Sequence, residues 1–321
     1  MNEQATPIIQ TKGLSKHYKD IVALDSLDLT VPSNTIFGFL GPNGAGKTTT
    51  MKLLLGLARP SGGQGTIFGQ DIVTDSLDIR SRIGYLPQQP RFYGHMTARE
   101  TLRFAASLYF KGPKAEIEAR VKEMLALVGL EKKADRPIKG FSGGERQRLG
   151  LAQAQINYPD LLILDEPAAA LDPIGRHDVL RIMERLRGVT TIFYSTHILD
   201  DVQQVSDTVA ILNKGRLITQ GPIESLLSGG QIAYKITMKG QLDEAHERLA
   251  SQPWTSHIDV SRQNGCVAWQ VGVSDQEAAE SSMLRLLLAD DQVTVLSFLP
   301  RRYELEEVFM KLVEGDNHGL Q

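Results

Sequence analysis

The stretch Gly41-Pro42-Asn43-Gly44-Ala45-Gly46-Lys47-Thr48-Thr49 constrains this chain more than any other. An apolar run, Thr35-Ile36-Phe37-Gly38-Phe39-Leu40, precedes it, and Thr50-Met51-Lys52-Leu53-Leu54-Leu55 follows as a buried helix. Strand, glycine-rich turn, Lys-Thr and helix, in that order, make a phosphate-binding loop. Glycines let the backbone curl so that several N–H groups point into one concavity. The helix behind it adds about half a positive charge at its N-terminus. Lys47 is placed to reach the β- and γ-phosphates of a nucleoside triphosphate, and the Thr48 hydroxyl to hold Mg²⁺. A glycine-rich turn that merely happens to precede a lysine is the plainer alternative, but every fixed position of the motif and both flanking elements are present.

The length of 321 residues points to two domains, or one large domain with an appendage. The net charge of −3 argues against nucleic acid as the main partner, because binders of the phosphate backbone carry a basic excess. The single cysteine, Cys266, excludes an intrachain disulfide and points to a reducing compartment. Residues 1–10 do not read as a secretory signal, and nowhere do about 18 apolar residues run together to span a membrane.

Residues 6–40 alternate as strands do, with apolar Val22, Leu24, Leu27, Leu29 and Val31 nearly keeping a period of two. The step from 24 to 27 breaks it, so a turn or bulge is expected near Asp25-Ser26. Gly62-Gly63-Gln64-Gly65 reads as a turn. Helices are expected at 98–109, at 116–128 where Gly129 closes the helix, at 141–157 and at 176–187. The apolar runs Leu161-Leu162-Ile163-Leu164 and 189–195 flank the last of these, which predicts a parallel sheet covered on both faces. Val209 to Ile218 reads as a hairpin turning at Asn213-Lys214-Gly215. A domain boundary is expected at Ser228-Gly229-Gly230. Beyond it the order strand (232–238), helix (242–250), strand (257–262), strand (266–273), helix (275–289), strand (293–299) is βαββαβ, that of a small ferredoxin-like module, followed by a helix at 303–313.

Two further stretches carry chemistry. Leu161 to Leu164 ends in Asp165-Glu166, and a carboxylate at a strand end beside a phosphate loop is where Mg²⁺ needs an oxygen. The next carboxylate could orient or deprotonate an attacking water. Alone, the pair would be a solvated strand end. Phe141-Ser142-Gly143-Gly144-Glu145-Arg146-Gln147-Arg148-Leu149 opens a helix with a Ser and two glycines, a second nest for an anion; alone it would be an N-cap.

With these stretches in this order, the chain resembles the ATP-binding-cassette (ABC) ATPases over residues 7–228. Their signature is Leu-Ser-Gly-Gly-Gln; here Phe141 replaces Leu and Glu145 replaces Gln, while the phosphate-contacting Ser142, Gly143 and Gly144 are kept. Gln88, in Ile83-Gly84-Tyr85-Leu86-Pro87-Gln88, matches the Gln-loop, a Mg²⁺ and water ligand that senses the membrane partner. His197 matches the switch histidine. Asp172, in Ala170-Leu171-Asp172, matches the D-loop. The flanking Ala168-Ala169-Ala170 departs from the family's hydroxyl-bearing residues, so no hydroxyl contact is carried over there. Tyr18 matches the aromatic that stacks on adenine.

The resemblance implies an α/β P-loop NTPase core with a mostly parallel sheet, an N-terminal antiparallel β subdomain and a helical lobe at about residues 90–140. These make a cassette of residues 1–228, followed by an α+β accessory domain at 229–321. It implies ATP and Mg²⁺ as ligands, with Gly41, Asn43, Gly44, Ala45, Gly46, Lys47, Thr48 and Thr49 on the phosphates and Thr48, Gln88 and Asp165 on the metal. Glu166 is the implied general base, with His197 and Gln88 beside it. Ser142 to Gly144 would close over the γ-phosphate of a second cassette, identical or not, and a separate transmembrane permease would be the only link to the cytoplasmic face of a membrane. The ends Arg301-Arg302-Tyr303 and Leu305-Glu306-Glu307-Val308-Phe309 resemble the drug- and polysaccharide-export class. Its alternatives are an importer ATPase and a soluble cassette protein acting on ribosomes or DNA. A compact lobe alone fits between Gln88 and Phe141, which disfavours the latter. A GTP-binding switch lacks its base-reading motif, since Asn213-Lys214-Gly215-Arg216 has no Asp. Arg91-Phe92-Tyr93 is the candidate for part of the permease contact.

Overall fold

The alternation over residues 6–40 becomes an antiparallel sheet and the first core strand. A computed structural model describes residues 7–227, 232–263, 266–289 and 292–301. Backbone contacts divide the chain into two units, Met1–Ile223 and Glu224–Gln321. In the first, the chain runs β1 (Pro7–Tyr18), β2 (Ile21–Leu27), β3 (Thr30–Pro32), β4 (Ile36–Leu40), α1 (Lys47–Leu54), β5 (Gly62–Ile67), β6 (Gln70–Asp71), α2 (Ser76–Ser81), β7 (Ile83–Leu86), α3 (Ala98–Tyr109), α4 (Lys114–Leu127), α5 (Gly143–Ala154), β8 (Leu161–Asp165), α6 (Pro173–Arg185), β9 (Thr191–Thr196), α7 (Leu199–Val205), β10 (Thr208–Asn213) and β11 (Arg216–Pro222).

β2-β1-β5-β6, with β3 also on β1, form the antiparallel subdomain. The expected bulge is there: Leu14 pairs with Leu27 but Lys16 with Leu24, leaving one extra residue on β2, and Ser26 takes φ +52°. The expected turn at Gly62-Gly63-Gln64-Gly65 is instead the start of β5, paired with β1 from Ser15↔Gly62 to Ile9↔Ile67. The glycines serve a close approach. Gly63 has φ +71°, and a Cβ there would lie 2.1 Å from the Gly13 carbonyl oxygen.

The second sheet, β11-β10-β4-β9-β8-β7, is parallel from β10 to β7, with β11 added by the 208–222 hairpin. Lys214 (φ +46°) and Gly215 (φ +81°) make its two-residue turn. β4 and β8 are buried at every position, the pattern of strands covered on both faces. Phe37, Phe39, Leu161, Ile163 and Phe193 lie in one core cluster with Met51, Leu53 and Leu54 of α1 and with β1, β2 and β5. Strand alternation puts Asp165 and Ser195 on that same face, at the carboxyl ends of β8 and β9, where open α/β sheets bind ligands. α3 and α4 form the helical lobe; Thr97 opens α3 with a reciprocal capping box to Glu100.

The short helix α8 (Ile223–Leu227) leads into the second unit, with β12 (Ile232–Gly240), α9 (Asp243–Ala250), β13 (Thr255–Gln263), β14 (Cys266–Val273), α10 (Gln276–Leu287) and β15 (Val293–Arg301). Its sheet order, β13-β14-β12-β15 with antiparallel pairs throughout, is ferredoxin-like. Trp269, Met283, Leu287 and Leu249 fill its core. The anticipated boundary at 228–230 and the anticipated helix at 303–313 lie outside the described residues. Among the described residues no helix is long and apolar enough to cross a membrane.

Candidate functional site

The glycine-rich loop leaves the carboxyl end of β4 and turns into α1 through Gly46, whose φ of +107° excludes an ordinary side chain; a Cβ there would stand 2.5 Å from the Ala23 carbonyl oxygen. Lys47 is the first residue of α1 and is 5% exposed. Its ammonium donates to the carbonyls of Gly41 (2.6 Å) and Pro42 (3.2 Å) and lies 3.3 Å from Glu166 Oε1. A fixed cation thus lies inside the curl of the loop, at the N-terminus of a helix.

Facing it, one carboxylate is held on both oxygens. The Thr48 hydroxyl donates to Asp165 Oδ2 at 3.0 Å, and the Ser195 hydroxyl donates to Asp165 Oδ1 at 2.6 Å. Glu166 follows with φ +47°, a left-handed conformation uncommon outside glycine. Its N–H donates to Ser195 Oγ at 2.9 Å, and its Oε2 lies 2.8 Å from His197 Nδ1, which therefore donates to it. Glu166 is 7% exposed, so its carboxylate is positioned by Lys47 on one oxygen and His197 on the other. Burial first, and then the Asp165 charge, push the Tyr85 hydroxyl above its ordinary pKa.

A cleft of about 240 Å³ joins the loop (Asn43, Gly44, Lys47, Thr48) to Gln88 and Glu166. The structure brings the loop residues from Asn43 to Thr49, Gln88 and Glu166 to one cleft; Asp165 and His197 do not line it but bond to Thr48 and Glu166. Tyr18 does not line it either. It sits half-exposed at the tip of β1, with the Lys16 ammonium 4.8 Å above its ring. Ile21 and Val22 of β2 form that wall instead. Val22 is 52% exposed, against the alternation that grouped it with core Leu24 and Leu27. Ser195 carries no motif in the sequence, and only the fold brings its hydroxyl to Asp165 and the Glu166 amide.

Ser142 to Gly144 and Asp172 lie outside this cleft. Ser142 caps α5, accepting from the Glu145 amide, and the Glu145 carboxylate accepts from the Ser142 N–H at 2.8 Å. Glu145 also ion-pairs with Lys133. Burial opposes its charge, but Lys133 and the Ser142 amide outweigh it and hold the carboxyl below its usual range. The Glu that replaces the family's Gln therefore completes a capping box, and Phe141, in place of Leu, is 3% exposed. Asp172 caps α6 by accepting from Gly175 N at 2.6 Å. A Cβ on Gly144 would meet Gly175 Cα at 3.6 Å, so the starts of α5 and α6 lie side by side, and Arg148 pairs with Asp178 further along them. The starts of α5 and α6, which carry Ser142 and Asp172, are one packed unit, and neither lines the cleft of the chain's own phosphate loop.

Elsewhere, a second groove of about 250 Å³ runs between the sheet core and the helical lobe. Leu55, Leu57 and Tyr85 line one side, Leu108 and Tyr109 the other. Leu57 is 60% and Leu108 69% exposed, an apolar patch of the kind that marks an interaction site. Of the anticipated contact residues, Tyr93 is 67% exposed, Arg91 is exposed and Phe92 is half-buried; none lines this groove.

Fold and site together define a phosphate-loop nucleoside triphosphatase. The sequence profile of the family described as ABC transporter matches residues 24–169. The bacitracin transport ATP-binding protein BcrA of Bacillus licheniformis is 35% identical over 315 residues, 97% of this chain and 99% of its own. The daunorubicin/doxorubicin resistance ATP-binding protein DrrA of Streptomyces peucetius is 33% identical, over 97% of this chain and 94% of its own. Among solved structures, cbiO1 of Clostridium perfringens, part of the ABC transporter complex cbiONQ, superposes with a TM-score of 0.63 at 28% identity, over 70% of this chain and 92% of its own. A dimeric post-hydrolysis state of the ATP-binding cassette MJ0796, bound to ADP and Pi, gives a TM-score of 0.61 at 25% identity, over 67% of this chain and 98% of its own. The chain belongs to the ABC transporter family, and it is an ATPase of that family.

Proposed function

We propose that this chain is the ATP-hydrolysing subunit of an exporter, pairing with a second cassette and driving a separate transmembrane permease. The observation that carries the reading is that Lys47, Thr48 and Glu166 line one phosphate-loop cleft, with Asp165 bonded to Thr48 and His197 to Glu166 just behind it. Full-length similarity to BcrA and DrrA, and similarity to the Nod factor export ATP-binding protein I of Ralstonia nicotianae (38% identical over 70% of each chain), support export over import or a ribosomal or DNA role. The cargo would be chosen by the permease.

In this reading Gly41 to Thr49 and Lys47 bind the phosphates. Mg²⁺ suits the residues present: the Thr48 hydroxyl, the Asp165 carboxylate and the Gln88 amide are hard oxygen donors, and Mg²⁺ is ordinarily held by one or two carboxylates plus substrate phosphates and water. Bound there it would neutralise charge developing on the transferring phosphoryl group. Glu166 acts as general base on the attacking water and His197 fixes the carboxylate's orientation. Ser142 to Gly144 and Asp172 complete the site of the second cassette, and Tyr18, beside exposed Ile21 and Val22, lies toward the base. Membrane attachment comes through the groove at Leu57 and Leu108, which fits a short amphipathic helix of the permease.

Glu166→Gln tests the assignment: it preserves shape and removes the base. Turnover should fall by about 10²–10⁴-fold with ATP still bound. Hydrolysis at the wild-type rate in that variant overturns the role.

A further inference from the structure

We propose that Ser195 is a positioning residue for ATP hydrolysis, its single hydroxyl setting the Asp165 carboxylate and the Glu166 base in fixed relation to each other. The proposal rests on the reading of Glu166 as base given above.

Ser195 is fully buried on β9, and the parallel register pairs it with Asp165 on β8 and Phe39 on β4. Paired residues share a face, so its hydroxyl meets the Asp165 side chain directly and donates to Oδ1 at 2.6 Å. The same oxygen accepts from the Glu166 N–H at 2.9 Å. Both hydrogen-bonding capacities of one hydroxyl are used, each on a neighbouring residue of the site. The second bond falls where the strand ends. β8 stops at Asp165, and a side chain of β9 receives the next amide. That capture accompanies the turn of Glu166 to φ +47° immediately before Pro167, a strained conformation that persists only when its surroundings impose it. The turn delivers the Glu166 carboxylate between Lys47 and His197. Meanwhile Thr48 takes the other oxygen of Asp165, so the carboxylate can rotate only if one hydroxyl lets go.

A merely structural serine would satisfy a buried amide and do nothing else. The two roles separate on what moves. Loss of the hydroxyl should leave the Glu166 amide unsatisfied and free Asp165 to rotate, without touching the loop that binds ATP.

The test uses the full-length protein with Ser195→Ala, Ser195→Thr and, as a near-isosteric weak donor, Ser195→Cys. Ser195→Ala should lower kcat by about 10–100-fold, the usual cost of removing an outer-shell partner. It should raise the Mg²⁺ concentration for half-maximal activity several-fold and leave KM for ATP, and ATP affinity in EDTA, within about twofold. Amide hydrogen exchange across Glu166 should quicken in the absence of nucleotide. Ser195→Thr, which keeps the hydroxyl, should restore most of kcat, with Ser195→Cys between the two. Unchanged kcat and exchange in Ser195→Ala overturn the proposal, as does equal loss in all three variants in step with their unfolding temperatures. Glu166→Gln measured alongside separates the failures. If it hydrolyses normally, the base assignment falls; if it is inactive while Ser195→Ala is normal, only the role of Ser195 falls.

Discussion

Arg120, on α4 of the helical lobe, is 4% exposed and reaches the carboxyl end of α5, the helix that Ser142 opens. Its Nε donates to the Ile156 carbonyl at 3.0 Å, and its Nη2 to the Gln155 carbonyl. Its Nη1 lies 2.9 Å from Glu123, and the guanidinium sits 3.4 Å from the Tyr158 ring centroid. A cation at a helix C-terminus is favoured by the macrodipole, and the planar fork suits two adjacent carbonyls. Arg120→Met keeps the apolar stem and removes the rest. Two charge-assisted bonds contribute about 1.5–3 kcal/mol each. The cation–π contact with half-exposed Tyr158 adds about 0.5–1 kcal/mol, and the pair with exposed Glu123 at most about 1 kcal/mol. The desolvation the arginine no longer suffers offsets part of this. The net loss should be about 3–5 kcal/mol, roughly a 10 °C fall in the unfolding temperature of the first unit. Chemical denaturation of the full chain, followed by calorimetry, measures it. A loss below about 1 kcal/mol would mean that those carbonyls are satisfied without Arg120 and that its bonds do not hold α4 to the end of α5.

Two further outcomes follow from single side chains. Glu145→Gln keeps an acceptor for the Ser142 amide but loses the Lys133 pair, at a cost of about 0.5–1.5 kcal/mol at pH 7. Because the folded carboxyl lies below its ordinary value of 4.5, its stabilisation is present above that pH and is lost as pH falls through the folded value. Wild type and variant should therefore draw together in denaturation curves as pH falls below 4.5 and through the folded value. Leu108→Glu on α3, 69% exposed, should change stability by less than about 0.5 kcal/mol yet abolish copurification with the membrane partner; retained copurification would remove the groove from that role.

What the sequence made legible followed from local chemistry. The loop, both buried strands, α3 and the βαββαβ order could be read because periodicity and turn residues there agree with the final packing. Gly62 to Gly65 could not, since the need for glycine arises from a strand 50 positions earlier in the chain (63 − 13), where Gly13 presses on Gly63. Val22 shares a face with buried Leu24 but lines the phosphate-loop cleft near the start of β2, and alternation alone does not say how far along a strand its cover extends. In sequence Glu145 is only a departure from a signature; its capping partner and Lys133 are visible only once the helix start is built. Ser195 carries no motif at all. Its role comes from the register between β8 and β9, a property of pairing rather than of either strand. Short helices such as α2 and α7 escaped because six or seven residues hold too few turns to show a period.

In the proposed function each ATP site is shared, with the loop of one cassette facing Ser142 of another. Subunit mixing in a Glu166→Gln background tests it without requiring turnover. One preparation also carries Lys47→Ala, which spoils the loop, and the other Ser142→Arg, which spoils the signature. By sedimentation with ATP and Mg²⁺, each alone should remain monomeric, while the equimolar mixture, which holds one intact composite site, should form dimers. A mixture that stays monomeric while the Glu166→Gln parent dimerises, or a Ser142→Arg preparation that dimerises by itself, would mean that Ser142 does not complete the site of a second cassette.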